Sequence, residues 1–340
     1  MCSLLILISF DKMKILNNPK KIILTTLIFS ILLMLIKFLA YFVTHSNAIL
    51  SDASESIVNV LASGFAFYSI YISALPKDTN HPYGHGKIEF FSAFLEGFLI
   101  VIAGVFIISK AVYNIFYPQE LHSLLIGSIL ILITGVINGL LSWWLIVKGN
   151  LLNSITLKAD GRHLLSDAIS SFGLVLGLLL IYFTNILWID VVISILLGVY
   201  IIYSGYHIIR KSVGGLMDET DTKVLSEILI YLNKNRKNQW IDIHNLRSQR
   251  YGAQSHIDCH ITLPYYFDLS RVHDEVTHID QVINKSLNLE IEFFIHADPC
   301  IPSCCHYCGY EPCAVRTEPQ TKKIIWDLNN LTQNKKHFEN

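Results

Sequence analysis

The sequence predicts an all-α bundle of six transmembrane helices, followed by a cytoplasmic α+β domain. The 340 residues are 52% hydrophobic and 16% charged, and their mean hydropathy is +0.45. This composition is too apolar for a water-soluble protein of ordinary surface. The apolar residues are also unevenly placed, because long apolar runs occur only before residue 210. The sequence therefore predicts a membrane-embedded part and a water-soluble part.

Six apolar runs define the predicted membrane spans. Each has roughly 20 residues or more, which is enough to cross about 30 Å of hydrocarbon at about 1.5 Å per residue. The runs cover residues 22–43, 48–72, 90–117, 124–147, 164–183 and 187–209.

Lysine and arginine indicate how these spans are oriented. Most of those up to residue 211 lie in the N-terminal segment and in or beside the loops after spans two, four and six, whereas the loops after spans one, three and five carry none. By the positive-inside rule both termini are cytoplasmic, so spans two and five run antiparallel. We expect a multi-pass protein, which in a bacterium would lie in the plasma (inner) membrane.

The remaining chain alternates between helical and extended patterns. We expect a helix, two strands, a second helix and a third strand, at 223–234, 241–250, 256–263, 269–287 and 289–296. Short turns between them predict a two-layer α+β domain. The chain thus divides into an N-terminal cytoplasmic segment (1–20), a transmembrane domain (21–211), a cytoplasmic domain (212–299) and a cysteine-rich tail (300–340).

Spans two and five each carry three polar residues at positions i, i+3 and i+7, which share one helix face. The residues are Asp52, Glu55 and Asn59 in span two, and Asp160, His163 and Asp167 in span five. A charge near the bilayer centre costs at least about 2.5 kcal/mol, so matched clusters of ionisable groups indicate a ligand. We interpret that ligand as a divalent metal ion. The alternative is that these groups only form hydrogen bonds between helices.

Glu55, Asn59, His163 and Asp167 are the candidate transport ligands, because two facing helices then surround one tetrahedral ion, the geometry that zinc prefers. Their two carboxylates match the double charge of the ion. Exchange of two protons for one ion would leave the buried site near neutral. One imidazole with oxygen ligands favours zinc, cobalt or ferrous iron.

Two carboxylates flank this site. Because the spans are antiparallel, Asp160 lies one turn toward the cytoplasm and Asp52 one turn toward the outside. We expect Asp160 to admit the ion and Asp52 to release it.

Two further groups of metal-ligating side chains lie outside the spans. Asp78, His81 and His85 stand at i, i+3 and i+7 in the loop after span two and predict a second site. Alternatively, these histidines only anchor the loop at the lipid headgroups. Five cysteines crowd into residues 300–313, where a reducing cytoplasm favours metal binding over disulfides. They are Cys300, Cys304, Cys305, Cys308 and Cys313. We expect them to be accessory, since they lie beyond the spans.

Four motifs carry a resemblance to the cation diffusion facilitator family. They are SDASESIVN (51–59), NHPYGHGK (80–87), ADGRHLLSD (159–167) and HADP (296–299). The resemblance covers about residues 21–299. It implies a homodimeric metal/proton antiporter that exports metal from the cytoplasm, with six spans and a ferredoxin-like cytoplasmic domain. Family members commonly place His or Asp, then Asp four residues later, in span two, where this chain has Glu55 and Asn59.

The resemblance also implies roles for residues outside the bundle. Asp78, His81 and His85 would hold a peripheral, regulatory metal ion. Lys87 and Asp218 match a pair that locks the two protomers below the membrane. Metal at the dimer interface would be held in the cytoplasmic domain by His244, His260, His273, His296 and Asp298.

We therefore expect a secondary transporter that exports divalent metal ions by proton antiport, with zinc first and iron or cobalt next. Its partners would be the lipid bilayer, the metal ions and a second copy of the chain, with no nucleic acid. An intramembrane metalloprotease is disfavoured, because the chain has no H-E-x-x-H motif. The remaining alternative is a membrane-anchored metal sensor, which would leave the buried carboxylates without a role.

Overall fold

The computed structural model of the chain describes residues 18–44, 47–117, 124–184, 188–286 and 291–338. The chain forms two compact units, Met1–Leu216 and Met217–Asn340. The first unit is helical, and the second contains a three-stranded sheet.

Six long helices make up the first unit, one for each predicted span. They are α1 (Pro19–Thr44), α2 (Asn47–Ser73), α3 (Ile88–Phe116), α4 (Leu124–Leu151), α5 (Ile155–Thr184) and α6 (Trp188–Leu216). Helix α5 begins at Ile155, well before the apolar run that starts at residue 164. Its first turns contain polar residues but are buried, with Leu157 and Asp160 fully enclosed. Hydropathy alone therefore places the start of this helix too late.

The exterior of this unit suits a lipid environment. Large apolar side chains such as Leu39, Leu61, Phe106, Leu140 and Leu196 are each more than 60% exposed. Four helices are long and apolar enough to cross a membrane, in the segments Pro19–Leu39, Ile88–Phe116, Ile131–Leu151 and Val191–Leu216. Helices α2 and α5, which carry the polar clusters, do not meet that measure in the described part of the chain. Their role as the second and fifth spans stays a prediction.

Paired glycines bring helices α3 and α6 close together. A Cβ atom at Gly97 would lie 3.0 Å from the carbonyl oxygen of Gly205, and one at Gly104 would lie 2.9 Å from that of Gly198. Small residues at helix interfaces in membranes permit such close backbone approach. Side chains at these positions would push the two helices apart.

Glu89, in the first turn of α3, forms hydrogen bonds at one end of each of the two helices that carry the polar clusters. Its Oε1 accepts a hydrogen bond from the Ser73 hydroxyl at the end of α2, at 3.0 Å. Its Oε2 accepts from the Ser154 hydroxyl at 2.7 Å and from the backbone N–H of Ile155 at 3.1 Å. A carboxylate thus satisfies the N-terminal N–H groups of α5, which would otherwise be buried without partners.

The second unit has the predicted α-β-β-α-β order. It consists of α7 (Thr222–Lys234), β1 (Asp242–Tyr251), β2 (Gln254–Leu263), α8 (Leu269–Ser286) and β3 (Ile291–Pro299). The sheet order is β1-β2-β3, with β1 antiparallel and β3 parallel to β2. Its register pairs His244 with His260, and His260 with His296. Three predicted ligands are therefore neighbours across the sheet.

The cysteine-rich segment packs against this unit. After β3 the chain forms a 3₁₀ helix (Pro302–His306) and a short helix α9 (Leu328–Leu331). Trp326 and Phe338 are buried in the same hydrophobic core as the two helices and the sheet. The Arg236 guanidinium lies 3.8 Å from the centre of the Trp326 ring. The sequence did not predict this packing, because scattered apolar residues in a polar segment give no periodic signal. The accessory role of the tail in transport stays a prediction.

Candidate metal centres

Three of the four predicted transport ligands meet inside the helical bundle. The amide oxygen of Asn59 accepts a hydrogen bond from Nε2 of His163 at 3.0 Å. Its amide nitrogen donates to Oδ2 of Asp167 at 2.8 Å. Nε2 of His163 lies 3.9 Å from the same Asp167 oxygen. The side chains of Asp52 and Glu55 lie outside the described residues.

Asn59 links an imidazole and a carboxylate that together resemble an incomplete metal site. An amide oxygen, a ring nitrogen and a carboxylate oxygen are all ligand types that zinc accepts. An ion at this point would take over the positions of the two hydrogen bonds. The spacing of the sequence motifs thus identified residues that lie together in space.

Asp160 extends the contact between α2 and α5 by one turn. It is fully buried, and its Oδ1 accepts a hydrogen bond from the Ser63 hydroxyl at 3.2 Å. Asn59 therefore pairs with His163 and Asp167, while Ser63, four residues later, pairs with the earlier residue Asp160. Numbering that rises on one helix and falls on the other means that α2 and α5 run antiparallel. The role of Asp160 in admitting the ion stays a prediction.

Glu96 on α3 belongs to this cluster, and the sequence analysis missed it. Its side chain is 2% exposed, and Oε2 lies 3.7 Å from Nδ1 of His163. Neither carboxylate oxygen has a hydrogen-bond partner among the residues that the structure describes. The signal in the sequence was an acidic residue inside a long apolar run, where ionisable groups mark functional sites. Glu96 supplies the buried carboxylate that often stands behind a metal-binding imidazole.

The predicted loop triad is assembled after helix α2. Oδ1 of Asp78 lies 3.1 Å from Nδ1 of His81, and its Oδ2 lies 3.3 Å from Nε2 of His85. The ligand atoms of all three residues lie within 4.8 Å of one another. A hydrogen bond from the backbone N–H of His81 lowers the pKa of Asp78, which favours the ionised form that binds metal. Gly84, at φ 89°, allows the turn between the two histidines.

A second group forms on the sheet of the other unit. Oδ2 of Asp298 lies 3.2 Å from Nδ1 of His260 and 3.6 Å from Nε2 of His244. Nε2 of His296 lies 3.8 Å from the other carboxylate oxygen. His273 is not part of this group, because it lies on α8, where its ring contacts Thr277. Four of the five predicted ligands are thus brought together.

Three residues that sequence reasoning missed surround this group. Asp242 is fully buried between Nδ1 of His244, at 3.6 Å, and Nδ1 of His337, at 2.6 Å. Burial lowers the pKa of His244, and the hydrogen bond to Asp242 raises the pKa of His337. Nζ of Lys336 lies 3.6 Å from Oδ1 of Asp298. A positive charge from the tail therefore faces the carboxylate of the candidate site.

Two other predicted sets of residues lie outside these candidate sites. Lys87 precedes α3 and Asp218 follows α6, so they belong to separate units, and their pairing between protomers stays a prediction. The five cysteines of the tail are free thiols that surround one cavity.

Two family models match most of the chain. Residues 23–217 match the cation efflux transmembrane domain, and residues 223–300 match the cytoplasmic domain of the cation efflux protein. A protein of Synechocystis named as an uncharacterized transporter is 33% identical over 248 residues, which are 73% of this chain and 80% of that protein. A manganese efflux system protein of Bacillus subtilis is 27% identical over 291 residues, covering 82% and 96%. A cadmium, cobalt and zinc/H(+)-K(+) antiporter of Bacillus velezensis is 26% identical over 205 residues, covering 60% and 65%.

Proposed function

This chain belongs to the cation diffusion facilitator family of membrane transporters, and we propose that it exports zinc from the cytoplasm in exchange for protons. As a member of this family it is a transporter of divalent cations and not an enzyme. The identity of the ion, the counter-ion and the residues that bind them are the proposal.

The observation that carries the proposal is the position of Asn59 between His163 and Asp167. Because an amide oxygen only accepts hydrogen bonds, Nε2 of His163 carries a proton when it contacts Asn59. A metal ion bound at Nε2 requires that nitrogen to be deprotonated. Metal binding at Nε2 therefore requires this proton to leave that nitrogen, either to solvent or to Nδ1, which lies 3.7 Å from the Glu96 carboxylate. Only release to solvent couples the metal to proton transport, and we propose that release.

The ligand set supports zinc as the first choice of ion. We propose that Glu55 completes the site as a fourth ligand beside Asn59, His163 and Asp167. One imidazole and three oxygen ligands suit zinc, with iron and cobalt next. The names of related proteins include manganese as well as cadmium, cobalt and zinc. Selectivity within the family must therefore depend on ligands at individual sites.

We assign the remaining polar residues to the passage and regulation of the ion. Asp160 would admit it from the cytoplasm, and Asp52 would release it on the other side. The loop site at Asp78 would be a peripheral metal site. The working unit would be a homodimer, locked by Lys87 and Asp218, with both termini in the cytoplasm. In a bacterium it would lie in the plasma membrane.

The metal at the dimer interface would sit on the sheet of the cytoplasmic unit. We propose that His244, His260 and Asp298 bind it. His296 would join from the next strand. Within one protomer, His273 lies apart from these residues. It would bind the metal only at the dimer interface.

Zinc flux in proteoliposomes under an imposed pH gradient tests this function. His163→Ala and Asp167→Ala should abolish zinc-driven proton flux, because water cannot replace the lost ligand at a buried site. The matched control is His207→Ala, which removes an exposed imidazole from α6 that stacks on Tyr203. Wild-type flux in either of the first two variants would contradict the assigned site. Metal binding without any flux in the wild-type protein would instead indicate a membrane-anchored sensor.

A further inference from the structure

The tail cysteines surround a single cavity in the cytoplasmic unit. The cavity has a volume of about 180 Å³, and its other walls include Tyr265 and Tyr266, which follow β2. Its cysteines are Cys300, Cys304, Cys305, Cys308 and Cys313, and all five are free thiols. Thiols from separate turns of the chain thus converge on one space that is large enough for an ion.

The backbone around these thiols is held in place by hydrogen bonds. The N–H of Cys300 donates to the carbonyl of Leu263 at the end of β2, at 2.8 Å. The N–H of Cys308 donates to the carbonyl of Cys304 at 3.0 Å, which closes the turn after the 3₁₀ helix. The start of the segment is therefore anchored to the sheet, and the Cys305-x-x-Cys308 pair lies on one tight turn.

Arg316 secures the same turn from its other side. Its guanidinium donates to the carbonyl of Cys305 at 3.3 Å, to that of Cys308 at 3.1 Å and to that of Tyr310 at 2.8 Å. One side chain thus holds three carbonyl groups in the cysteine loop. Its positive charge also lies next to thiols that would become thiolates on binding a metal ion.

One of the five cysteines has a structural role already. Cys304 is 1% exposed and Cys308 is 7% exposed in the hydrophobic core, and the sulfur of Cys304 also accepts a hydrogen bond from the N–H of Ile301 at 3.3 Å. That hydrogen bond already commits the Cys304 sulfur. The other four are Cys300, which directly follows β3, the pair Cys305 and Cys308, and Cys313, which lies five positions after Cys308. Tetrahedral cysteine sites commonly use pairs with two to four intervening residues.

We propose that Cys300, Cys305, Cys308 and Cys313 bind one zinc or cadmium ion as a tetrathiolate site, separate from the transport path. Soft thiolate ligands select such ions, and a site with four protein ligands is structural because it leaves no open position. The ion would fasten the cysteine-rich segment to the sheet. The stability of the cytoplasmic unit would then depend on the supply of metal.

The site would close around its ion. Metal–sulfur bonds of about 2.3 Å place the four sulfurs roughly 3.8 Å apart in a tetrahedron. Within the described part of the chain, no three of these sulfurs lie within 4.8 Å of one another. The cavity provides the space for the sulfurs to move together.

Cadmium titration of the full-length protein tests the proposal. The protein is stripped with a chelator, kept reduced with a phosphine, and titrated while the ultraviolet charge-transfer band of cadmium thiolate is recorded. The imidazole and carboxylate sites produce no such band. The band should saturate at one equivalent of thiolate-bound cadmium, and the double variant Cys305→Ser, Cys308→Ser should lose it. The matched control Cys259→Ala removes a buried thiol of β2 and should keep the band.

A second measurement uses only the wild-type protein, so it remains decisive if the double variant misfolds. Thiol alkylation followed by peptide mapping should show that zinc slows labelling of the four proposed ligands by at least about tenfold, as expected for saturating ligand. Cys304 and Cys259 should label at the same rate with and without zinc. A missing cadmium thiolate band, its loss in Cys259→Ala, or equal labelling of the four thiols with and without zinc would overturn the proposal.

Discussion

Replacing Asn59 with aspartate tests the electrostatics of the transport site. The amide nitrogen of Asn59 donates to Oδ2 of Asp167 at 2.8 Å, so Asn59→Asp puts two carboxylate oxygens at that separation. With an effective dielectric constant of about 20, two unit charges 2.8 Å apart repel each other by about 6 kcal/mol. This energy corresponds to about four powers of ten in proton affinity. The metal-free variant should therefore keep one proton shared between the two carboxylates.

That proton must leave when the metal binds, so the substitution changes the proton stoichiometry. We expect Asn59→Asp to release about one more proton per zinc ion than the wild type does. Zinc affinity should fall about tenfold further for each unit of decreasing pH, because one more proton competes with the ion. Transport should continue at neutral pH, since the new carboxylate is itself a ligand, and the preference among zinc, iron and cobalt should shift.

Isothermal titration calorimetry in buffers of different ionisation enthalpy counts the released protons directly. Asn59→Leu is the matched control, because it removes both hydrogen bonds without adding a charge. It should weaken zinc binding and leave the proton count no higher than that of the wild type. An unchanged proton count and pH dependence in Asn59→Asp would refute the reasoning. Asn59 would then not face the ion, and Asp52 would become the candidate fourth ligand.

Three further predictions follow from the contacts of single residues. Glu96→Gln keeps the shape of the side chain behind the imidazole but removes its charge, so zinc affinity in flux assays should fall by about 10- to 100-fold, with a smaller change in maximal rate. Lys336→Ala removes the charge beside the sheet site and should tighten zinc binding there by about two- to five-fold, whereas Lys335→Ala should not. Gly104→Val should destabilise the helical unit by about 1–3 kcal/mol, measured by thermal unfolding in detergent, because α3 and α6 would be forced apart. Gly64→Val, where nothing lies within 4 Å, is the control.

Spacing along the sequence predicted part of the transport site. Helical periodicity placed Asn59 on one face of α2, and it placed His163 and Asp167 on one face of α5. Charge bias then predicted that the two helices are antiparallel, and the pairing of Ser63 with Asp160 agrees. Glu96 could not be found in this way, because a single carboxylate has no partner at helical spacing. Its role depends on packing between α3 and α5, which periodicity does not describe.

The site on the sheet, formed by His244, His260, His296 and Asp298, also has neighbours that a local sequence pattern cannot reveal, and these lie farther away along the chain. Alternation along three strands predicted the elements, and their register places His244, His260 and His296 in one row. No local pattern links them to His337, whose contact with Asp242 spans 95 positions. That contact exists because Trp326 and other apolar residues of the tail are buried in the core of the unit.

This burial also decides how the tail can be studied. If the cysteine-rich tail is only accessory to transport, truncation after Pro299 should change the metal concentration for half-maximal flux more than the maximal rate. In the structure, such a truncation removes Trp326, Leu331 and Phe338 from the hydrophobic core, and the loss of even one large core side chain costs several kcal/mol. A truncated protein would lose the core of its second unit and the tail cysteines at once, so its phenotype would not identify the function of the thiols. Point substitutions such as Cys305→Ser leave that core in place, and only they separate metal binding by the tail from the stability that the tail provides.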